Sequence, residues 1–175
     1  MNEILTEVSV STGVPVHEWA ILPSEKLIFS PDLLDYCKTN ACGLYNKSWT
    51  CPPACDTLEE QREKILSYKN VLVFTTMRKL EDSFDFDGMS IARDLHILLT
   101  AGLSKRLGDN PVYGAGHCPI CETCAFPDPC PFPEKKIGSV EAAGIDVTEL
   151  SKAAGINYHN GQNTVTFFGM ILIQQ

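Results

Sequence analysis

Four cysteines lie on one short segment in the second half of the chain. They are Cys118, Cys121, Cys124 and Cys130. Gaps of two residues separate the first three, and this spacing places three thiolates on a single loop, where they suit three corners of a [4Fe–4S] cluster. The sequence therefore predicts a cysteine-rich, cluster-binding segment over residues 111–133.

The same segment resembles the cysteine run of bacterial ferredoxins, in which the last cysteine also precedes a proline. Five residues separate Cys124 from Cys130, whereas the ferredoxin run has about three at that place. Pro127, Pro129 and Pro131 stiffen this spacer, because each fixes its own φ and favours extended geometry in the residue before it. A structural zinc site is the main alternative, since it also uses Cys-x2-Cys pairs, and disulfides are a weaker one.

A second group of cysteines lies earlier in the chain, over residues 37–55, with irregular gaps. It consists of Cys37, Cys42, Cys51 and Cys55. The glycine and prolines between them predict a loop, so we expect at least three of the four to bind metal, with Tyr45 and Trp49 as apolar cover. For Cys55 the alternative is a residue packed under the helix that follows, because free cysteine is also a common core residue.

Length and charge limit the classes of function. The chain has 175 residues and a net charge of −8. A domain of this size buries about 70% of its unfolded surface, so it needs no disulfides, and the start of the sequence carries no export signal. We therefore expect the protein to be located in the cytoplasm, where cysteines stay reduced. The net negative charge argues against nucleic-acid binding. No apolar run is long enough for a membrane span. A redox partner protein with a basic patch suits this charge, and a homodimer is an open alternative.

Helix and strand signals along the chain predict an α+β fold, a small and mainly antiparallel sheet with helices packed on one face, formed by residues 1–175 as one domain. Residues 1–13 are either a short helix or a loose arm. Strands are expected over 14–22, 71–77 and 163–173, and helices over 31–37, 57–68, 89–107, 139–143 and 146–155.

Apolar spacing also predicts which helix faces are buried. The helix over 57–68 begins with a capping box at Thr57, directly after the first cysteine group, and its positive N-terminal end suits an anionic cluster. Its inward residues are expected to be Leu58, Ile65 and Leu66. The helix over 89–107 is expected to bury a stripe of five aliphatic residues. These are Ile91, Leu95, Leu98, Leu99 and Leu103.

Two histidines, His96 and His117, are candidates for a role at a metal site. His96 lies off the predicted stripe, so we expect an ordinary surface or half-buried histidine rather than a metal ligand. His117 precedes Cys118 directly and is placed to hydrogen-bond a cluster sulfur, but the plain interpretation is preferred here as well.

The cysteine motifs together resemble a known family. They are Cys37-x4-Cys42, Tyr45, Trp49-Thr50-Cys51-Pro52-Pro53, Gly116-x-Cys118-x2-Cys121-x2-Cys124-Ala125, Pro129-Cys130 and Ser139-x-Glu141-Ala142-x-Gly144-Ile145-Asp146-Val147. This set resembles the cysteine-rich family DUF2284, described as predicted metal-binding, over roughly residues 37–173. The resemblance implies metal binding, with iron–sulfur clusters expected, in anaerobic bacteria and archaea. It implies no settled reaction.

Two classes of function fit these observations. The first is an electron-transfer protein with [4Fe–4S] clusters, expected to be two, each completed by its own four cysteines. It is favoured because no nucleophile, phosphate-binding loop or paired acids occur in motif context, so no catalytic residue is assigned. The second is an iron–sulfur or other metal-dependent enzyme or enzyme subunit, favoured by the large part of the chain that carries no cysteine. A zinc-stabilised scaffold without redox function is a third.

Overall fold

The computed structural model describes residues 1–174 and has the predicted α+β class. The helices are α1 (Asn2–Thr12), α2 (Asp32–Lys38), α3 (Leu58–Leu66), α4 (Phe86–Leu107) and α5 (Val147–Ala154). The strands are β1 (Trp19–Pro23), β2 (Asn70–Lys79), β3 (Val112–Gly114), β4 (Gly138–Ser139) and β5 (Thr164–Ile173). In the described part of the chain, no helix is sufficiently long and apolar to cross a membrane.

The five strands form one sheet in the order β1-β2-β5-β3-β4. The long strands β2 and β5 pair antiparallel along their whole length, from Asn70 opposite Ile173 to Lys79 opposite Thr164. β1 pairs with β2 and β3 with β5 in the same sense, whereas β3 and β4 are parallel. The sheet is therefore mainly antiparallel, and β2 is a central strand, as its apolar run predicts.

Helices cover both faces of this sheet, and the expectation of one covered face is wrong. Successive side chains of a strand point to opposite faces, so Val71 and Val73 pack in one cluster that includes residues of α3 and α5. Leu72 and Phe74 pack in a second cluster with residues of α1 and α4. The sequence of β2 is continuously apolar because both faces of this strand are covered by helices and shielded from water.

Two predicted helix stripes need correction. On α3, Ile65 is fully buried but Leu66 is 36% exposed, and on α4 both Ile91 and Leu98 are 48% exposed. The buried face of α4 contains polar residues that an aliphatic count leaves out. Its members are Gly88, Ala92, His96, Ile97, Leu99, Thr100 and Leu103, most of which recur at helical spacing.

His96 is thus wholly buried rather than a surface or half-buried residue. Its Nδ1 lies 2.9 Å from the Thr76 hydroxyl, and its ring stacks on Phe74 with 5.6 Å between centroids. The Nε2 atom has no hydrogen-bond partner among the described residues. Burial lowers the pKa of His96 to about 4, although the backbone of Phe168 opposes this shift, so the ring is neutral near pH 7.

The structure also decides one open alternative of the sequence prediction and corrects two further segments. Residues 2–12 are a helix, which decides between the two alternatives stated for the N-terminal segment. The first strand begins at Trp19, because Val14 and Val16 instead join the cluster between α1 and α4. Residues 139–143 are not a helix: Ser139 ends β4, and its hydroxyl accepts a hydrogen bond from the Ala142 N–H in the turn that follows.

Candidate metal centre

The later cysteine group, Cys118 to Cys130, lies in the connection between the neighbouring strands β3 and β4. Gly116 opens this loop at φ +86°, where an added Cβ would lie 3.2 Å from Ile97 of α4. The other end is held by Ile137, which is buried. The Ile137 N–H donates to the sulfur of Cys118 at 3.5 Å. One end of the loop therefore passes close to α4, and the other is joined to the loop's first cysteine by the Ile137 N–H.

All four cysteines of this loop are half-buried and line one cavity. Loss of solvation raises the pKa of the Cys121 thiol, and the charges of the other three thiolates raise it further. Those three are Cys118, Cys130 and Cys124. The four sulfurs consequently lie within electrostatic reach of one another, and Cys130 belongs with them.

Cys124 differs from its neighbours, because its surroundings favour the thiolate. Burial alone would raise the pKa of this thiol, but hydrogen bonds from the backbone of Phe126 and Trp49 and from the Ser48 side chain outweigh burial and lower it. Donors aimed at a sulfur stabilise its negative charge, and such donors also tune metal-bound thiolates. Ser48 and Trp49 belong to the loop of the first cysteine group, so each loop helps to build the site of the other.

The first cysteine group spans α2 and the loop that follows it. Cys37 lies near the end of α2, as predicted, Cys42 is exposed, and Cys51 is buried. Burial raises the pKa of Cys51 to about 11, with smaller contributions from Cys42, Cys55 and Cys37. The pKa of Cys37 is raised by burial, by Cys42 and by the carboxyl of Glu141. These mutual effects place the four thiols in one neighbourhood.

Cys55 is half-buried and shares that neighbourhood. Burial raises the pKa of its thiol, and Asp56 and Cys37 add to the increase, while Lys136 opposes it. The Lys136 ammonium lies 3.7 Å from an Asp56 carboxylate oxygen. The helix α3 follows at once, with the predicted capping box formed between Thr57 and Glu60.

The two cysteine loops are in direct contact. Ser48, Trp49 and Thr50 line the cavity of the later group, and the rings of Trp49 and Phe126 meet edge to face with 5.1 Å between centroids. Trp49 therefore covers the later cysteine group rather than only its own loop. His117, in contrast, is exposed and has no side-chain hydrogen bond in the described part of the chain.

The donor set fits a soft metal in type and number. Within residues 1–174 no three His, Cys, Asp or Glu side chains are already arranged as a metal site. Each loop nevertheless offers four thiols, the donors that iron–sulfur clusters and zinc select. Because burial raises the pKa of Cys37, Cys51 and Cys55, these groups are protonated thiols at neutral pH, and metal binding there must release protons.

Sequence reasoning missed one residue between the two groups, Lys136. It lines the cavity of the later group and also a second cavity that reaches Cys55. The pair Lys135–Lys136 directly after the cysteine loop was the available signal. The proximity of Lys136 to Asp56 and Cys55 arises only from the tertiary structure.

A sheet covered on both faces that carries two contacting groups of four cysteines defines a cysteine-rich α+β protein with donors of the type that soft metals select. A family described as predicted metal-binding protein (DUF2284) matches residues 20–173, and the chain belongs to that family. No curated protein and no solved structure matches the chain significantly.

Proposed function

We propose that this protein binds two [4Fe–4S] clusters and transfers electrons to a redox partner protein. Cys37, Cys42, Cys51 and Cys55 hold one cluster, and Cys118, Cys121, Cys124 and Cys130 hold the other. Bound clusters supply one-electron chemistry. The protein supplies thiolate ligands, shields the sulfurs with Trp49 and donates a hydrogen bond from the Ile137 N–H to the sulfur of Cys118.

One observation carries this proposal: the two groups are contiguous. Trp49, between Cys42 and Cys51 in the chain, donates a hydrogen bond to the Asp128 carbonyl in the other cysteine loop and packs against Phe126 of that loop. Two redox centres in adjoining loops suit passage of an electron from one to the other. A purely structural zinc site needs no such neighbour.

The electrostatic neighbourhoods also favour completion of each cluster by its own loop. In two-cluster ferredoxins the cysteine before the proline serves the other cluster, which would here assign Cys130 to the first group. Instead the thiol of Cys130 raises the pKa of Cys121, and that of Cys55 raises the pKa of Cys51. Each fourth cysteine is thus near its own set.

The test is anaerobic isolation followed by iron, sulfide and zinc counts, visible absorption and EPR. We expect a brown protein with about eight iron and eight sulfide per chain, whose absorption bleaches on reduction. A colourless protein with stoichiometric zinc and no sulfide contradicts the proposal. Cys55→Ala and Cys130→Ala should each damage a different cluster, whereas crossing over predicts that Cys55→Ala leaves both intact and Cys130→Ala damages the first.

An enzyme is the second candidate, and a specific cavity favours it. A space of about 120 Å³ reaches Cys55 and is lined by Tyr113 and Gln61. The Tyr113 hydroxyl donates to Gln61 Oε1 at 3.0 Å, and Gln61 Nε2 donates to Asp56 at 3.3 Å. Ordered polar groups beside a redox centre are what a substrate site requires. Turnover of a small molecule by the reduced protein without a partner would identify this second function.

A further inference from the structure

A second concave surface, the lysine groove, lies on the outer side of that cavity. The end of α4, the segment 108–112, Pro119–Ile120 and residues 134–136 form its walls, and its volume is about 690 Å³. Four lysines line it. They are Lys64, Lys105, Lys135 and Lys136.

The charge of this groove is opposite to that of the protein. The chain as a whole carries −8, whereas the groove sets four lysines against two acids, Asp109 and Glu134, a local balance of +2. Like charges gathered in one concavity repel one another, and the repulsion is greatest where water is displaced. A bound anion is the arrangement that removes this cost.

Most of these ammonium groups are available to a ligand. Among residues 1–174 only Lys136 of the four is in an ion pair, the one with Asp56. Lys64 lies 5.9 Å from the centre of the Tyr113 ring, and Lys135 lies 5.7 Å from that of Phe132. Neither contact neutralises the charge. Lys105 is in the last turn of α4, where it also complements the negative end of the helix.

The groove adjoins the cavity beside Cys55. Lys64, Val112 and Lys136 line both spaces, so these residues lie between the groove and the cavity. Cys55 and the hydrogen-bonded Tyr113 and Gln61 also line the cavity. The lysines of the groove and the polar Tyr113–Gln61 pair of the cavity together provide the charged and polar groups that orient a ligand.

We propose that the lysine groove and this cavity form one binding site for a small molecule with at least two adjacent anionic groups, phosphates or carboxylates. The lysines of the groove hold the anionic groups, and Lys64 lies between the groove and the cavity that Cys55 lines. A small molecule is favoured over an acidic protein because the surface is concave, has the volume of ligand sites, about 300–1,000 Å³, and adjoins a second cavity. Anion binding goes beyond the electron-transfer proposal and does not require it; only the relevance of Cys55 rests on a cluster there.

The test is calorimetric titration of the anaerobically isolated protein with pyrophosphate at fixed ionic strength. Wild type should bind one pyrophosphate per chain. Lys105→Ala/Lys135→Ala should weaken binding at least about tenfold, since a hydrogen bond to a charged group contributes about 1.5–3 kcal/mol. The matched control Lys26→Ala/Lys79→Ala removes two exposed lysines outside the groove and should stay within about twofold. Equal losses in both double variants overturn the proposal.

Two further arms separate the alternatives. Lys64→Ala should also weaken pyrophosphate binding, and wild-type affinity in this variant overturns the extension towards the cavity. A ten-residue polyglutamate that binds tighter than pyrophosphate and depends on the same lysines overturns the choice of a small molecule. Iron and sulfide counts on the same samples keep the two proposals apart. Pyrophosphate binding that depends on the groove lysines, in a protein without sulfide, contradicts the proposal of iron–sulfur clusters and supports that of the anion site.

Discussion

The indole Nε1 of Trp49 donates a hydrogen bond to the backbone carbonyl of Asp128, with 2.8 Å between the two atoms. The two residues belong to different cysteine loops, which β2 and α4 separate in the sequence. The bond joins the loops at the point where the ring of Trp49 also meets Phe126. Folding of one loop therefore favours the ordered state of the other.

Trp49→Phe tests this link, because it keeps an aromatic ring but removes the donor. We expect the free energy of unfolding of the metal-free protein under reducing conditions to fall by about 1 kcal/mol, the usual contribution of one hydrogen bond. Urea titration followed by far-UV circular dichroism measures it. Trp19→Phe, at an exposed site on the edge strand β1, is the control and should change stability by less than about 0.5 kcal/mol. Equal effects would mean that the bond to Asp128 contributes nothing.

Cys121→Ser should disorder the later cysteine loop without unfolding the rest of the protein. Metal-binding free energy in such a loop is also folding free energy. The two hydrophobic cores on the faces of the sheet, however, contain no residue of this loop. The variant should lose iron and retain its far-UV signal, as measured by metal counts and circular dichroism. Glu122→Gln, an exposed neighbour, should retain both. Loss of the whole far-UV signal in Cys121→Ser would show that the loop is integral to the core.

Gly144→Ala should destabilise the protein more than an alanine at another left-handed glycine. Gly144 has φ +78°, and an added Cβ would overlap Cδ1 of Leu58 at the start of α3. Gly155 has φ +65° with no atom within 4 Å of that position. Gly155→Ala should therefore cost about 1 kcal/mol from backbone strain, and Gly144→Ala about 2 kcal/mol, since the end of the Leu58 side chain must also move aside. Chemical unfolding measures both, and equal values would exclude the contact with Leu58 as a constraint.

His96 should make the protein less stable in mild acid. Its pKa is about 4 in the folded protein against about 6.5 when unfolded. Between these values the unfolded chain binds a proton that the folded one does not, so the unfolding free energy falls as the pH falls from about 6.5 to about 4. The loss reaches about 3 kcal/mol.

Urea titrations over that pH range check this slope. His96→Gln should flatten it, whatever the variant's stability at neutral pH. His159→Gln, at an exposed site, should leave it unchanged. An unaltered slope in His96→Gln would assign the acid sensitivity to other groups.

Sequence patterns predicted the elements whose signals are local. The capping box at Thr57, the strand β2 and the helix α5 are all present, because each depends on residues within a few positions of one another. The prediction for the buried face of α4 was wrong, because His96 is buried there with its Nδ1 hydrogen-bonded to Thr76 of β2. Such a partner is invisible to a count of aliphatic residues.

The candidate site divides in the same way. Which cysteines form each group was predicted from spacing and stays a prediction; the mutual effects of the thiols on the pKa of Cys51 and Cys121 support it. That Trp49 covers the other loop, and that Lys136 lies near Asp56, depends on how the sheet brings distant segments together. No spacing rule along one chain segment contains that information.

The parallel pairing of β3 with β4 has a mechanical consequence. Neighbouring parallel strands need a long crossover connection, a position that a helix usually fills, and here the cysteine loop is that connection. β4 pairs with β3 at only two positions, and just beyond them the Val140 N–H donates to the Gly114 carbonyl. The cysteine loop is therefore joined directly to a short edge strand. Because metal-binding free energy in a loop is also folding free energy, we expect metal binding by this loop to stabilise the pairing of β4 as well.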